Sequence, residues 1–187
     1  MKGKILIFGW ITLLLFPLPA FLLLYFTEQI SISEFLQVQN IQILPIGLGL
    51  QFGILYSFIA YLFMKAPFFE TVPTKIDKII GEMNLKIHQG IFLSLCAGIG
   101  EELLFRAGIQ HYFGWLLTSV LFVALHGYLN PFNWRFSIYG LIVLPFIFLI
   151  SLAYYEFGLW FCIAAHFSYD AVLFTIMIKE TKSKQYL

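Results

Sequence analysis

Charge is what this sequence has least of. Of its 187 residues only 11% are Asp, Glu, Lys or Arg, while 60% are hydrophobic and 22 are Phe. A water-soluble domain carries about 25% charged residues. A soluble core of this length could not cover so much apolar surface and would leave large exposed patches. The shortage of charge excludes a soluble globular domain and leaves an integral membrane protein. Cysteine is nearly missing too. Cys96 and Cys162 both lie in apolar runs, which gives neither a disulfide framework nor zinc-ligand spacing, and both are expected to be small buried hydrophobes. A net charge of +1 leaves no basic footprint for nucleic acid. There is no internal repeat, no H-E-x-x-H, no glycine-framed serine at Ser94, Ser119 or Ser168, and no second mid-membrane aspartate to complete an aspartyl dyad.

What is abundant is length of apolar run. A spanning helix needs about 20 mostly apolar residues. Six stretches qualify: 5–26, softly broken by Pro17 and Pro19; 41–64; 87–110; one from 112 through His126; 136–155; and 157–178. Lys2 and Lys4 before the first run resemble a signal peptide. That run is too long for one and no small-x-small cleavage site follows it, so a retained helix is expected. Residues 65–86 collect charge together with Pro67 and Pro73, and are expected to form a solvent loop with an interfacial helix. Pro131 is expected to end or kink the fourth run. With the N-terminus inside, every Lys and all Arg except Arg106 fall on the inner side. That asymmetry predicts an all-α polytopic membrane bundle of about six transmembrane helices, one domain over 1–187, with both termini cytoplasmic.

Against this background a few ionisable residues stand out. Glu101, Glu102 and Arg106 lie in the third run, His126 in the fourth, and His166 and Asp170 in the sixth. Each costs at least about 2.5–3.5 kcal/mol at mid-membrane on insertion scales. At about 1.5 Å per residue, Glu101, His126, His166 and Asp170 all fall about 15–20 Å below the outer turns, near the middle of a core about 30 Å thick. Glu102 and Arg106 are four apart, acid first, so they share a helix face and neutralise each other. Glu101 points about 100° away, without an intrahelical partner. His166 and Asp170 share a face by the same spacing, and so do Phe122 and His126, which puts an aromatic wall beside the imidazole. Gln42 and Gln51 are expected to hydrogen-bond between helices, and Gly98, Gly100 and Gly108 to allow close helix contact.

The three motifs, "EELLFR" at 101–106, "FVALH" at 122–126 and "HFSYD" at 166–170, resemble E-E-x-x-x-R, F-x-x-x-H and H-x-x-x-N/D in order and separation. This is the pattern of the CAAX-protease and bacteriocin-processing family of intramembrane proteases. The resemblance covers about 87–178, which it implies is the catalytic core. It implies an intramembrane endopeptidase in which Glu101 and His126 activate water while His166 and Asp170 hold the oxyanion, with Glu102, Arg106 and Phe122 supporting them. Asp170 departs from the commoner Asn. An ionised carboxylate cannot donate a hydrogen bond, so Asp170 is either protonated or orients His166. The expected mechanism is metal-free. The alternative is zinc held by Glu101, His126 and His166, two imidazoles and one carboxylate with an open position. Expected partners are the lipid bilayer and a peptide or protein substrate, prenylated in one family option, with no nucleic acid. The compact chain points to a prokaryotic plasma membrane, or to the endoplasmic reticulum in a eukaryote. A second class of reading, a non-catalytic immunity protein or proton-coupled carrier, is open because buried Glu/His sets also build proton relays.

Overall fold

The computed structural model describes residues 2–66, 83–130, 132 and 137–185. Regular structure among them is entirely helical. Helix α1 (Lys2–Leu15) stops where Pro17 opens α2 (Pro17–Glu28), since proline supplies no amide to continue the ladder but suits a first helical turn. A short α3 (Ile32–Phe35) follows. It is held by a capping box in which Ser31 N donates to Glu34 Oε2 (2.8 Å) and Glu34 N donates to Ser31 Oγ (3.3 Å). The Ser31 hydroxyl and amide bonds to its carboxylate hold the exposed Glu34 below its ordinary pKa. A 3₁₀ turn at Val38–Asn40 leads to α4 (Ile43–Met64). Then come α5 (Ile87–Glu102), a π-helical segment Leu103–Ile109, α6 (Gln110–Leu125) and α7 (Gly140–Gln185).

Four stretches among the described residues are long and apolar enough to cross a membrane: Ile5–Glu28, Ile43–Met64, Ile87–Leu125 and Gly140–Ser183. The last two are not straight rods. Phe105 and Phe122 are 17 positions apart, about 25 Å in a straight helix, yet their ring centroids are 4.8 Å apart. Phe146 and Tyr169, 23 positions and about 34 Å apart on the same reckoning, stack at 4.3 Å. The chain doubles back between each pair. Both reversals fall on a glycine in a conformation other residues resist: Gly114 (φ 69°, ψ 172°) and Gly158 (φ 76°, ψ −176°). Gln37 closes the second reversal from outside. Its Oε1 accepts from Leu159 N (3.1 Å), its carbonyl accepts from Trp160 Nε1 (3.1 Å), and its Nε2 donates to Tyr154 OH (2.8 Å). The first free amide after Gly158 thereby finds an acceptor that lipid cannot supply.

Lipid tails give no hydrophobic drive for helix association, so close backbone contact has to do the work. On α4 the buried stripe Gly49, Gly53, Ser57, Ala60, Met64 faces the second half of α7. A Cβ on Gly53 would stand 2.1 Å from Ala165 O, and one on Gly100 2.1 Å from Thr12 O. Gly98 and Gly108 meet Phe167 and Ala20 as closely as expected of packing glycines. Both cysteines are free and buried.

Two sequence expectations need correction. Gln42 and Gln51 are exposed and, among the described residues, make no helix–helix bond. Exposed Glu28 pairs with His111 Nε2 at 2.6 Å and ties α2 to the end of the first hairpin. His126 is not inside a helix. The α6 helix ends at Leu125 and His126 is its C-cap, followed by Gly127 at φ 79°. From Gly114 to Leu125 is only about 17 Å of helix. Most of the predicted loop and its interfacial helix, and the kink at Pro131, lie outside the described residues.

Candidate active site

The site begins where α5 changes into a π-helix. Glu101 and Glu102 are the last residues of α5, and the widened turns start at Leu103. Gln110 N reaches back five residues to Phe105 O. Such π segments recur at functional sites because they re-aim the side chains that follow. Glu102 and Arg106 still meet, with Arg106 Nε 3.0 Å from Glu102 Oε2, and both are fully buried. The guanidinium lies over the Phe122 ring at 5.2 Å. On its other side Phe122 stacks on His126 (4.3 Å between centroids, 19°) and meets His166 edge-on (5.8 Å).

Each imidazole is oriented through Nδ1. His126 Nδ1 lies 2.8 Å from Phe122 O. A carbonyl only accepts, so that nitrogen carries the proton. His166 Nδ1 donates to Glu102 Oε1 at 2.7 Å. Both Nε2 atoms therefore turn toward Glu101: His126 Nε2 is 3.3 Å from Glu101 Oε2 and His166 Nε2 is 4.0 Å from it. Asp170 Oδ2 lies 3.5 Å from His166 Nε2, on the reacting side of that ring rather than behind it. The group that orients His166 is thus Glu102, a role the sequence reading assigned to Asp170 as one alternative. Three acids, Glu101, Glu102 and Asp170, face three bases, Arg106, His126 and His166, so the cluster can balance its charge internally. That is the condition for keeping ionisable groups in a low-dielectric interior.

Access divides the two glutamates. The Glu102 and Arg106 side chains are 0% exposed, while those of Glu101, Asp170 and His126 are 12%, 24% and 34% exposed. These three, with His166, line a cavity of about 410 Å³, many times the volume of about 30 Å³ that one water occupies in the liquid. Its walls continue through Tyr128, Tyr139, Phe146, Tyr169 and Leu173 to Met177. Met177 is about 16 Å beyond His166 along the helix, toward the end where Lys65 pairs with Glu180 (2.8 Å). The tyrosines were missed by the sequence reading. The available signal was Tyr169, one helical turn after His166 inside the third motif.

Among the described residues no three His, Cys, Asp or Glu side chains enclose one point as ligands do. His166 Nε2 lies closer to Asp170 than to Glu101. The arrangement does not fit the Glu101, His126, His166 ligand set.

An apolar helical chain that gathers six ionisable side chains in its interior belongs with the membrane proteins whose chemistry takes place inside the bilayer. Residues 83–172 match the Rce1-like family, described as type II CAAX prenyl endopeptidase Rce1-like. That match supports the CAAX protease family for this segment, and the chain is an integral membrane protein. The matched segment contains all three motifs and all six ionisable residues of the site. No curated protein and no solved structure matches the chain.

Proposed function

We propose that the chain is an intramembrane endopeptidase that hydrolyses a peptide bond with a water activated by Glu101 and His126. Glu101 takes a proton from water while the hydroxide oxygen bonds to the substrate carbonyl carbon. The carbonyl oxygen becomes an oxyanion facing His166 Nε2, which must carry a proton to hold it. With Nδ1 donating to Glu102, His166 then acts as an imidazolium, and Asp170 at 3.5 Å balances its charge. The carbon–nitrogen bond breaks, and the leaving amine takes its proton from the Glu101–His126 pair. The observation that carries this reading is the 3.3 Å approach of His126 Nε2, at the C-cap of α6, to Glu101 Oε2 on α5, at the wall of a cavity. A donor at an oxyanion is worth about 3–4 kcal/mol elsewhere, and general acid–base groups about 10²–10⁴-fold. The family supports a prenylated C-terminal peptide as substrate, with bacteriocin-type leaders as the other candidate.

The same reading includes six membrane passes, with hairpins at Gly114 and Gly158 on the outer side and both termini cytoplasmic. The lysine asymmetry supports that orientation. It also includes a metal-free mechanism, supported by the poor fit of the ligand set. The test is cleavage of a prenylated peptide and of a bacteriocin-like leader by purified wild type and Glu101→Gln, with metal analysis of the same preparation. Cleavage of one substrate by wild type alone, without stoichiometric zinc, is expected. Stoichiometric zinc and loss of activity on chelation would replace the mechanism, and cleavage of neither peptide would remove the substrate assignment.

A further inference from the structure

The cavity wall below the acid–imidazole set is apolar except for three tyrosines. Tyr139 has a partner for its hydroxyl in Met64 Sδ. Tyr169 does not: the residue is 6% exposed, and its hydroxyl is buried with no hydrogen-bond partner among the described residues. The ring itself is fixed. Phe146 stacks on one side at 4.3 Å and 21°, and Tyr56 meets it at 6.1 Å and 60°. Tyr169 is among the residues that line the cavity, beside Asp170 and Glu101. A buried hydroxyl left unpaired costs about 1–3 kcal/mol. A group held rigidly in that state beside a substrate cavity is complementary to something that enters it.

We infer that Tyr169 is a substrate-binding residue whose hydroxyl donates a hydrogen bond to a main-chain carbonyl of the bound peptide, beside the scissile bond. A neutral carbonyl suits the position. A carboxylate would meet the negative charge of Asp170, four residues past His166 on the same helix, and of Glu101. The carbonyl accepts a proton it does not keep, so the contact contributes to binding in the ground state and the transition state alike. The inference rests on the protease reading given above, and goes beyond it by naming the acceptor and the group that meets it.

The test is Tyr169→Phe, which removes only the hydroxyl and keeps both ring contacts. Melting in detergent checks the fold. If the wild type cleaves a prenylated peptide, the variant is expected to raise KM about tenfold with kcat within about twofold. A peptide whose carbonyl at one position is replaced by methylene should weaken wild type by the same factor and Tyr169→Phe by nothing further. Wild-type KM and kcat in Tyr169→Phe would overturn the inference while leaving the protease reading intact. So would a loss confined to kcat. Absence of cleavage by wild type on every peptide tried removes the reading beneath it, a separate result.

Discussion

Glu102 Oε1 lies 2.7 Å from Nδ1 of His166, a residue 64 positions later in the chain, while the other oxygen of the same carboxylate lies 3.0 Å from Arg106 Nε. One buried side chain thus neutralises a cation and orients an imidazole at once. Neighbouring Glu101, one step around the helix, faces the cavity.

That division separates two variants. Glu102→Ala leaves Arg106 buried and uncompensated, which costs about 3–5 kcal/mol, and frees the His166 ring. It should lower both melting temperature and cleavage. Glu101→Gln should slow cleavage about 10²–10⁴-fold with melting unchanged. Paired melting and cleavage measurements check this. Equal melting for wild type and Glu102→Ala would contradict the buried pairing.

Helix contact predicts opposite fates for two glycines on one helix. A side chain at Gly53 collides with Ala165 O, whereas a Cβ at Gly47 meets nothing within 4 Å. Gly53→Val should fail to give a folded protein in detergent. Gly47→Ala should match wild type or gain up to about 1 kcal/mol from helix propensity. Size-exclusion profiles and melting curves read both.

The polar stretch after His126 should be reachable from water. Leu129 is 42% and Phe132 97% exposed, while both native cysteines are buried. Leu129→Cys and Phe132→Cys should therefore label rapidly with a membrane-impermeant thiol reagent from the cytoplasmic side, over a low background. Labelling only from the outer side would reverse the proposed orientation. No labelling from either side would close the proposed water route.

The capping box of α3 makes a pH prediction. Glu34 titrates below its ordinary value because Ser31 bonds favour the ionised form. Its contribution to the turn is present above the unfolded-state pKa, about 4.3, and is lost as pH falls through the lowered folded value. Ser31→Ala removes the hydroxyl bond but keeps the amide bond, so it should raise the Glu34 carboxyl part of the way toward its ordinary range and weaken the turn at neutral pH. Carboxyl-resolved NMR titration measures the shift, and an unchanged Glu34 titration in Ser31→Ala would contradict it.

The membrane class was legible because composition alone forces it. The i, i+4 spacings of Glu102 with Arg106 and of Phe122 with His126 survive as real contacts, since one helical turn dictates them. The Glu102–His166 bond was not legible. It joins residues 64 positions apart, and no local pattern shows which of two adjacent glutamates a distant ring will choose. The π-helix at Leu103–Ile109 carries no compositional mark either. The breaks expected between the runs ending at 110 and starting at 112, and between 136–155 and 157–178, fall within a few residues of the reversals at Gly114 and Gly158, across which Phe105 meets Phe122 and Phe146 meets Tyr169.

Most directly at stake is whether Glu101 and His126 act as one proton-handling unit. The cleavage rates of Glu101→Gln, His126→Ala and the double variant on one peptide decide it. Each single variant should lose about 10²–10⁴-fold, and the double variant should be no slower than the worse single, as groups acting together behave. Losses that multiply in the double variant would show that the two side chains work independently.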